Sequence, residues 1–152
     1  MPTIYSIGSS TRQIEEFLDI LHHFQIKTLV DVRSFPKSRL NHFIKENLDQ
    51  KLNEAGIDYL YLGKELGGYR KGGYEKYILT AHYEKGLSNL EDIGKKNTTA
   101  FMCAERLPWK CHRKFIAISL QERGWKVIHI IDKKKVWESK QLNLFHRKER
   151  PR

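Results

Sequence analysis

The sequence predicts an α/β fold: a single Rossmann-like three-layer domain with a mostly parallel central sheet of about five strands. Three observations predict it. Short apolar runs rich in β-branched and aromatic residues recur at Thr3–Ile7, Lys27–Val32, Ile57–Leu62, Thr99–Met102 and Trp125–Ile131. Segments with helical spacing of apolar residues separate them, so strands alternate with helices. Each run is followed by glycines or by charged and polar residues, and parallel sheets bind ligands beyond the carboxyl ends of their strands.

Each element can be justified in order. The first run ends at Gly8, and Ser9-Ser10-Thr11 supplies candidate helix caps. Ile14, Phe17, Leu18, Leu21 and Phe24 then recur at helical spacing before the second run. Strand, helix and strand in this order imply a crossover and therefore parallel pairing. Arg33 to Arg39 is a polar loop, and Ile44 to Ala55 reads as a helix with Leu48 and Leu52 inward and Gly56 just past its end. After the third run, Gly63 to Gly73 is an irregular, basic stretch carrying Gly67-Gly68 and Gly72-Gly73. Tyr74 to Tyr83 and Tyr83 to Lys95 read as two helical pieces. The fourth run leads into Cys103–Arg113 and a helix over Lys114 to Arg123. The fifth run follows Gly124. Residues 1–137 read as the α/β domain and 138–152 as a basic tail.

The chain of 152 residues carries 28 Lys and Arg against 18 Asp and Glu, a formal net charge of +10. Such an excess favours a polyanionic partner, DNA or a nucleotide. No apolar run approaches the roughly 20 residues of a membrane span, so no membrane partner is expected. The first residues lack the layout of a signal peptide, and two cysteines do not suggest a disulfide framework, which points to a reducing, cytoplasmic location.

The residues that carry chemistry fall after the strands. Ser9 and Ser10 follow the first, Asp31, Arg33 and Arg39 end or follow the second, and Gly67 and Gly68 follow the third. Cys103, Glu105, Cys111, His112 and Arg113 follow the fourth. Arginines on loops beside helix N-termini suit an anion, because guanidinium and backbone N–H groups both favour phosphate. Ser9, Ser10, Arg33, Arg39, Gly67, Gly68, Cys103 and Arg113 are therefore ligand-binding candidates, with surface charge as the plainer reading of the arginines. Asp31, Glu105, Cys111 and His112 are the candidates for catalysis. Asp31 either holds Arg33 or moves a proton; Glu105 is the better acid or base. Cys111 lies where a helix dipole and neighbouring cations lower a thiol pKa. Cys103 can be a small buried hydrophobe. Cys103, Cys111 and His112 offer three metal ligands at most, short of a structural zinc set, and no metal or cofactor is expected.

Asp31-Val32-Arg33-Ser34-Phe35-Pro36-Lys37-Ser38-Arg39, Leu66-Gly67-Gly68 and Cys103-Ala104-Glu105-x-x-Pro108-x-x-Cys111-His112-Arg113 resemble the signatures of the family called domain of unknown function 488. The resemblance spans Ile4 to Ile131. It implies one α/β domain with a pocket built from these segments, and it implies no assigned reaction. The chain departs from the family where members usually read Gly-His-Ser, since it has Gly8-Ser9-Ser10. If that histidine only orients a phosphate, Ser9 can still donate a hydrogen bond.

Gln141-Leu142-Asn143-Leu144-Phe145 resembles the pentapeptide by which bacterial replication and repair proteins dock on the DNA sliding clamp. Gln141 would supply orienting hydrogen bonds, while Leu142, Leu144 and Phe145 would fill an apolar pocket. The alternative is an amphipathic end that packs on its own domain. Three functional classes follow from the sequence: a protein of DNA metabolism that binds DNA or a nucleotide at a basic site, a non-catalytic sensor of a nucleotide or modified base, and a cysteine-dependent enzyme acting on small molecules.

Overall fold

The structure, a computed structural model, describes residues 1–138. The pentapeptide Gln141 to Phe145 lies outside the described residues. Five strands run parallel: β1 (Thr3–Gly8), β2 (Thr28–Asp31), β3 (Asp58–Tyr61), β4 (Thr99–Cys103) and β5 (Lys126–Asp132). A sixth, β6 (Lys135–Glu138), returns antiparallel beside β5, and the spatial order is β3-β2-β4-β1-β5-β6.

That sixth strand departs from the expected five. The Lys135-Val136-Trp137-Glu138 segment is exposed along its length and reads as polar. A turn folds it back, with the Lys134 N–H donating to Asp132 Oδ1 at 3.0 Å. Trp137 then packs on His129 at 5.5 Å and on Trp109 at 5.1 Å between ring centroids. Charged Lys135 and Glu138 suit an edge strand, where they discourage further pairing.

Helices cover both faces, because alternate strand residues point to opposite sides. On one face α1 (Ile14–His23) and α2 (Lys45–Glu54) cover Ile7, Leu29, Ala100, Met102 and Ile130. Glu15 and Glu16 in the first turn of α1, with His22 and His23 in its last, match the helix dipole. Its cap is Gln13, without a side-chain bond, rather than the hydroxyls at 9–11. On the other face, α5 (Ala81–Lys96) and α6 (Arg113–Glu122) cover Ile4, Val30, Phe101 and Val127. The one-turn helix α3 (Gly63–Leu66) opens the glycine-rich stretch, and a second, α4 (Tyr74–Tyr77), follows it. A single helix runs from Ala81, capped by Thr80 Oγ1 accepting from the Tyr83 N–H at 3.2 Å, so Tyr83 lies inside it rather than at a break. Among the described residues, no helix is long and apolar enough to cross a membrane.

Candidate functional site

The loop after β4 is drawn tightly over the end of β1. Gly8 is the register partner of Cys103, and a Cβ on Gly8 would lie 1.9 Å from the Glu105 carbonyl oxygen. The ladder continues past the strands, with Ser9 N–H donating to Cys103 O and Ser10 N–H to Ala104 O, both at 2.9 Å. A 3-10 turn at Pro108–Lys110 brings the chain back so that Cys111 Sγ stands 3.1 Å from Cys103 Sγ. Helix α6 starts two residues later.

Arg113 organises this loop from below. Its side chain is fully buried. Nε donates to Cys103 Sγ at 3.0 Å and to Cys111 Sγ at 3.3 Å, Nη1 donates to Ser6 Oγ at 3.0 Å, and Nη2 donates to the Glu105 carbonyl. None of these acceptors is a carboxylate. A buried guanidinium requires a compensating anion, and the ionisable groups it touches are the two sulfurs. Cys111 Sγ also accepts the Arg113 backbone N–H at 3.4 Å. The Cys103 thiol as hydrogen-bond donor, opposed by burial and helped by Arg113, brings the Cys111 pKa down to about 6. Cys103 moves the opposite way, raised by its bond to Cys111 and by burial. The Cys111 thiol is thus shifted toward ionisation and the Cys103 thiol away from it.

The second wall comes from β2. Asp31 is fully buried and accepts four hydrogen bonds. They come from Arg33 Nε at 2.9 Å, Arg33 Nη2 at 2.7 Å, the Arg33 backbone N–H at 3.1 Å and the Tyr59 hydroxyl at 2.5 Å. Arg33 Nη1 donates to the Phe43 carbonyl at 2.7 Å. Asp31 thus sits behind Arg33 and holds it, and most of the Arg33 donors face inward. His112 Nε2 pairs with the Val32 carbonyl at 2.9 Å, so Nε2 carries the hydrogen and Nδ1 is the free acceptor. Burial, then Arg113 and Arg70, bring His112 down to about 4, so it is neutral at pH 7. Gly68 lies directly against that ring; a Cβ there would meet Nδ1 at 2.5 Å.

Between these walls is a pocket of about 290 Å³ whose lining includes Arg33, Lys37, Gly68, Glu105, Cys103, Cys111 and His112, together with Phe35 and Tyr69. Phe35 and Tyr69 are exposed, with rings 5.6 Å apart. The structure thus brings Arg33, Gly68, Cys103, Glu105, Cys111 and His112 together. Asp31 and Arg113 lie beneath the pocket as supports. Gly67 packs on Ser34, where a Cβ would meet Oγ at 2.3 Å. Ser9 and Ser10 act through their backbone on the loop, and Arg39 stays exposed on the loop after β2. Among the described residues, no three His, Cys, Asp or Glu side chains converge as metal ligands.

Two supporting residues escaped sequence reasoning. Ser6 and His129 are register partners on β1 and β5, and Ser6 Oγ pairs with His129 Nδ1. Because Arg113 Nη1 donates to Ser6 Oγ, the serine hydrogen points to His129. Burial and Arg113 bring His129 down to about 3, so it is a neutral acceptor. Each is a polar residue inside an apolar strand, Tyr5-Ser6-Ile7 and Ile128-His129-Ile130, and that was the available signal.

These features define an α/β protein with a cysteine-lined pocket at the carboxyl edge of a parallel sheet. The chain belongs to the family described as Domain of unknown function DUF488, whose profile matches residues 13–120, more than half of the chain. The match covers both pocket walls and is shorter than the expected Ile4 to Ile131, leaving β1 and β5 outside it. No curated protein and no solved structure matches the chain.

Proposed function

We propose that this Rossmann-like three-layer domain is a cysteine-dependent enzyme that uses the Cys111 thiolate as a nucleophile on a small molecule in the pocket. One observation carries the reading: among the described residues, buried Arg113 contacts no carboxylate, and its ionisable acceptors are the two cysteine sulfurs. A thiolate is the reactive form of cysteine, and it is favoured here by the Cys103 hydrogen bond and the fixed Arg113 cation rather than by a histidine base. Neutral His112, held by Val32, offers Nδ1 as a weak base, and Glu105 is the carboxyl group at the pocket wall. Lys37 supplies a charge for an anionic substrate. Sulfur transfer is one reaction that suits this set. The test is the pH dependence of iodoacetamide alkylation of Cys111 in the reduced full chain, read from the mass of the Cys111 peptide. A midpoint near pH 6 to 7 supports the reading, and one near the unperturbed value of about 8.5 rejects it.

A second reading, binding of DNA or a nucleotide, is favoured by the exposed Phe35–Tyr69 pair beside Lys37, which suits stacking on a base. The net charge of +10 agrees, although Lys140, Arg147, Lys148, Arg150 and Arg152 against Glu149 place four of those charges in residues 139–152. Binding of single-stranded DNA that weakens steeply with salt, and is lost in Phe35→Ala with Tyr69→Ala, would support it. A peptide of residues 138–150 captured by purified sliding clamp, with Leu144→Ala and Phe145→Ala removing the capture, would add that partner.

A further inference from the structure

We infer that Cys111 and Cys103 form a peroxide-sensitive pair, Cys111 being the sulfur oxidised first and Cys103 the sulfur that closes a disulfide upon it. The two sulfurs already stand 3.1 Å apart, and both cysteines are free. A disulfide requires a separation of about 2.05 Å, so the closure is about 1 Å. The mobile partner is identifiable. Cys103 is the last residue of a central strand, paired to β1. Cys111 has extended backbone in the connection between the 3-10 turn and α6. Access has the same asymmetry. Both cysteines line the pocket, but Cys111 is half-buried whereas Cys103 is only 3% exposed. The chain has two cysteines, so an intramolecular bond can form between these two sulfurs only.

The chemistry balances with a hydroperoxide as oxidant. The Cys111 thiolate attacks the terminal oxygen of the peroxide. An S–O bond forms and the O–O bond breaks, and the alkoxide or hydroxide that leaves takes a proton to become alcohol or water. The sulfur, now a sulfenic acid, has lost two electrons to the peroxide. The Cys103 sulfur then attacks the Cys111 sulfur, an S–S bond forms, the S–O bond breaks, and hydroxide departs as water with the Cys103 proton. Arg113 Nε, within 3.0 Å of Cys103 Sγ and 3.3 Å of Cys111 Sγ, faces the sulfur charge in both steps. The disulfide removes the anion that Arg113 neutralises and the nucleophile at the pocket wall. A dithiol reductant reverses the change by exchange.

The inference shares Cys111 with the proposed reaction but needs no substrate for it. The experiment uses the reduced full chain, treated with equimolar hydrogen peroxide and then with N-ethylmaleimide. The expected result is a mass lower by two hydrogens, no maleimide adduct, and a Cys103 peptide linked to a Cys111 peptide. Cys103→Ser should instead trap dimedone on Cys111. Two maleimide adducts after peroxide, or linkage only between two chains, would overturn the inference. If Cys103→Ser does not fold, peptide mapping of the wild-type chain decides alone. Alkylation kinetics separate the two ideas. A low-pH midpoint without a disulfide removes this inference and keeps the enzyme reading, and a disulfide with an ordinary midpoint does the reverse.

Discussion

Arg113 donates to the sulfur of Cys111 twice, from its backbone N–H at 3.4 Å and from Nε at 3.3 Å, and among the described residues no carboxylate shares its buried charge. The thiolate and the guanidinium are therefore one electrostatic unit. Removal of either leaves the other uncompensated in a low-dielectric environment. Arg113→Lys keeps a charge but cannot reach two sulfurs, Ser6 and the Glu105 carbonyl with one planar group. The Cys111 midpoint should rise by at least one unit in this variant. Alkylation at pH 6 should then fall at least about fivefold, because a one-unit rise takes the thiolate fraction there from about one half to about one eleventh. Circular dichroism on the same samples checks that the fold is intact.

The Asp31–Arg33 pair should govern stability more than chemistry. Both side chains are at least 95% buried, since Asp31 is 0% and Arg33 5% exposed. Asp31→Asn should destabilise the fold by about 3 kcal/mol, measured by urea unfolding, because it strands a buried guanidinium. Asp31→Asn with Arg33→Met should cost less than the two single changes added together. Cys111 alkylation should be nearly unchanged in Asp31→Asn if Asp31 only positions Arg33.

Gly8 has no room for a side chain. A Cβ there would meet the Glu105 carbonyl oxygen at 1.9 Å and Arg106 Cα at 2.7 Å, both of them backbone. Gly8→Ala should displace the Cys103–Cys111 loop and cost about 3 kcal/mol of stability, as overpacking does. The Cys111 midpoint should rise with it. By contrast, Gly56 has φ +80° but open space around its Cβ position, so Gly56→Ala should lose stability and leave alkylation unchanged.

The buried histidines and Cys111 set a direction for the pH dependence of stability. His129 at about 3 and His112 at about 4 lie below the ordinary value of 6.5. The unfolded chain therefore binds more protons as pH falls from about 6.5 toward 4, and stability should fall with it. Cys111 at about 6 lies below 9.0, so the unfolded chain again holds the extra proton between these values, and stability should rise with pH across that window. His129→Asn should flatten the acid slope, and Cys111→Ser should flatten the slope from pH 6 to 9. Thermal unfolding in a pH series reads both.

Most of the parallel sheet was legible because its signals are local. Strands β1 to β5 are apolar runs bounded by glycine or charge, and the helices between them keep apolar spacing. β6 was not legible. Its four residues are exposed, and their pairing depends on the Asp132–Lys134 turn and on Trp137 meeting His129 and Trp109. The site was legible in part for a related reason. Topology puts strand ends on one edge, so Arg33, Glu105, Cys111 and His112 could be gathered from their positions after strands.

Sequence alone determined that the Cys103–Arg113 segment lies after a buried strand and before a helix, because hydrophobic period and turn residues are read along the chain. Which groups in it face the pocket and which lie beneath was decided by the tertiary structure. Arg113 and Asp31 turned inward because each found hydrogen-bond partners from distant segments: Ser6 on β1 for Arg113, and Tyr59 on β3 for Asp31. The Cys111 thiol is shifted toward ionisation in the same way, by the Cys103 thiol and the Arg113 cation that the fold sets against it. A charge in a folded interior is fixed by what surrounds it in three dimensions, and sequence spacing does not specify those neighbours.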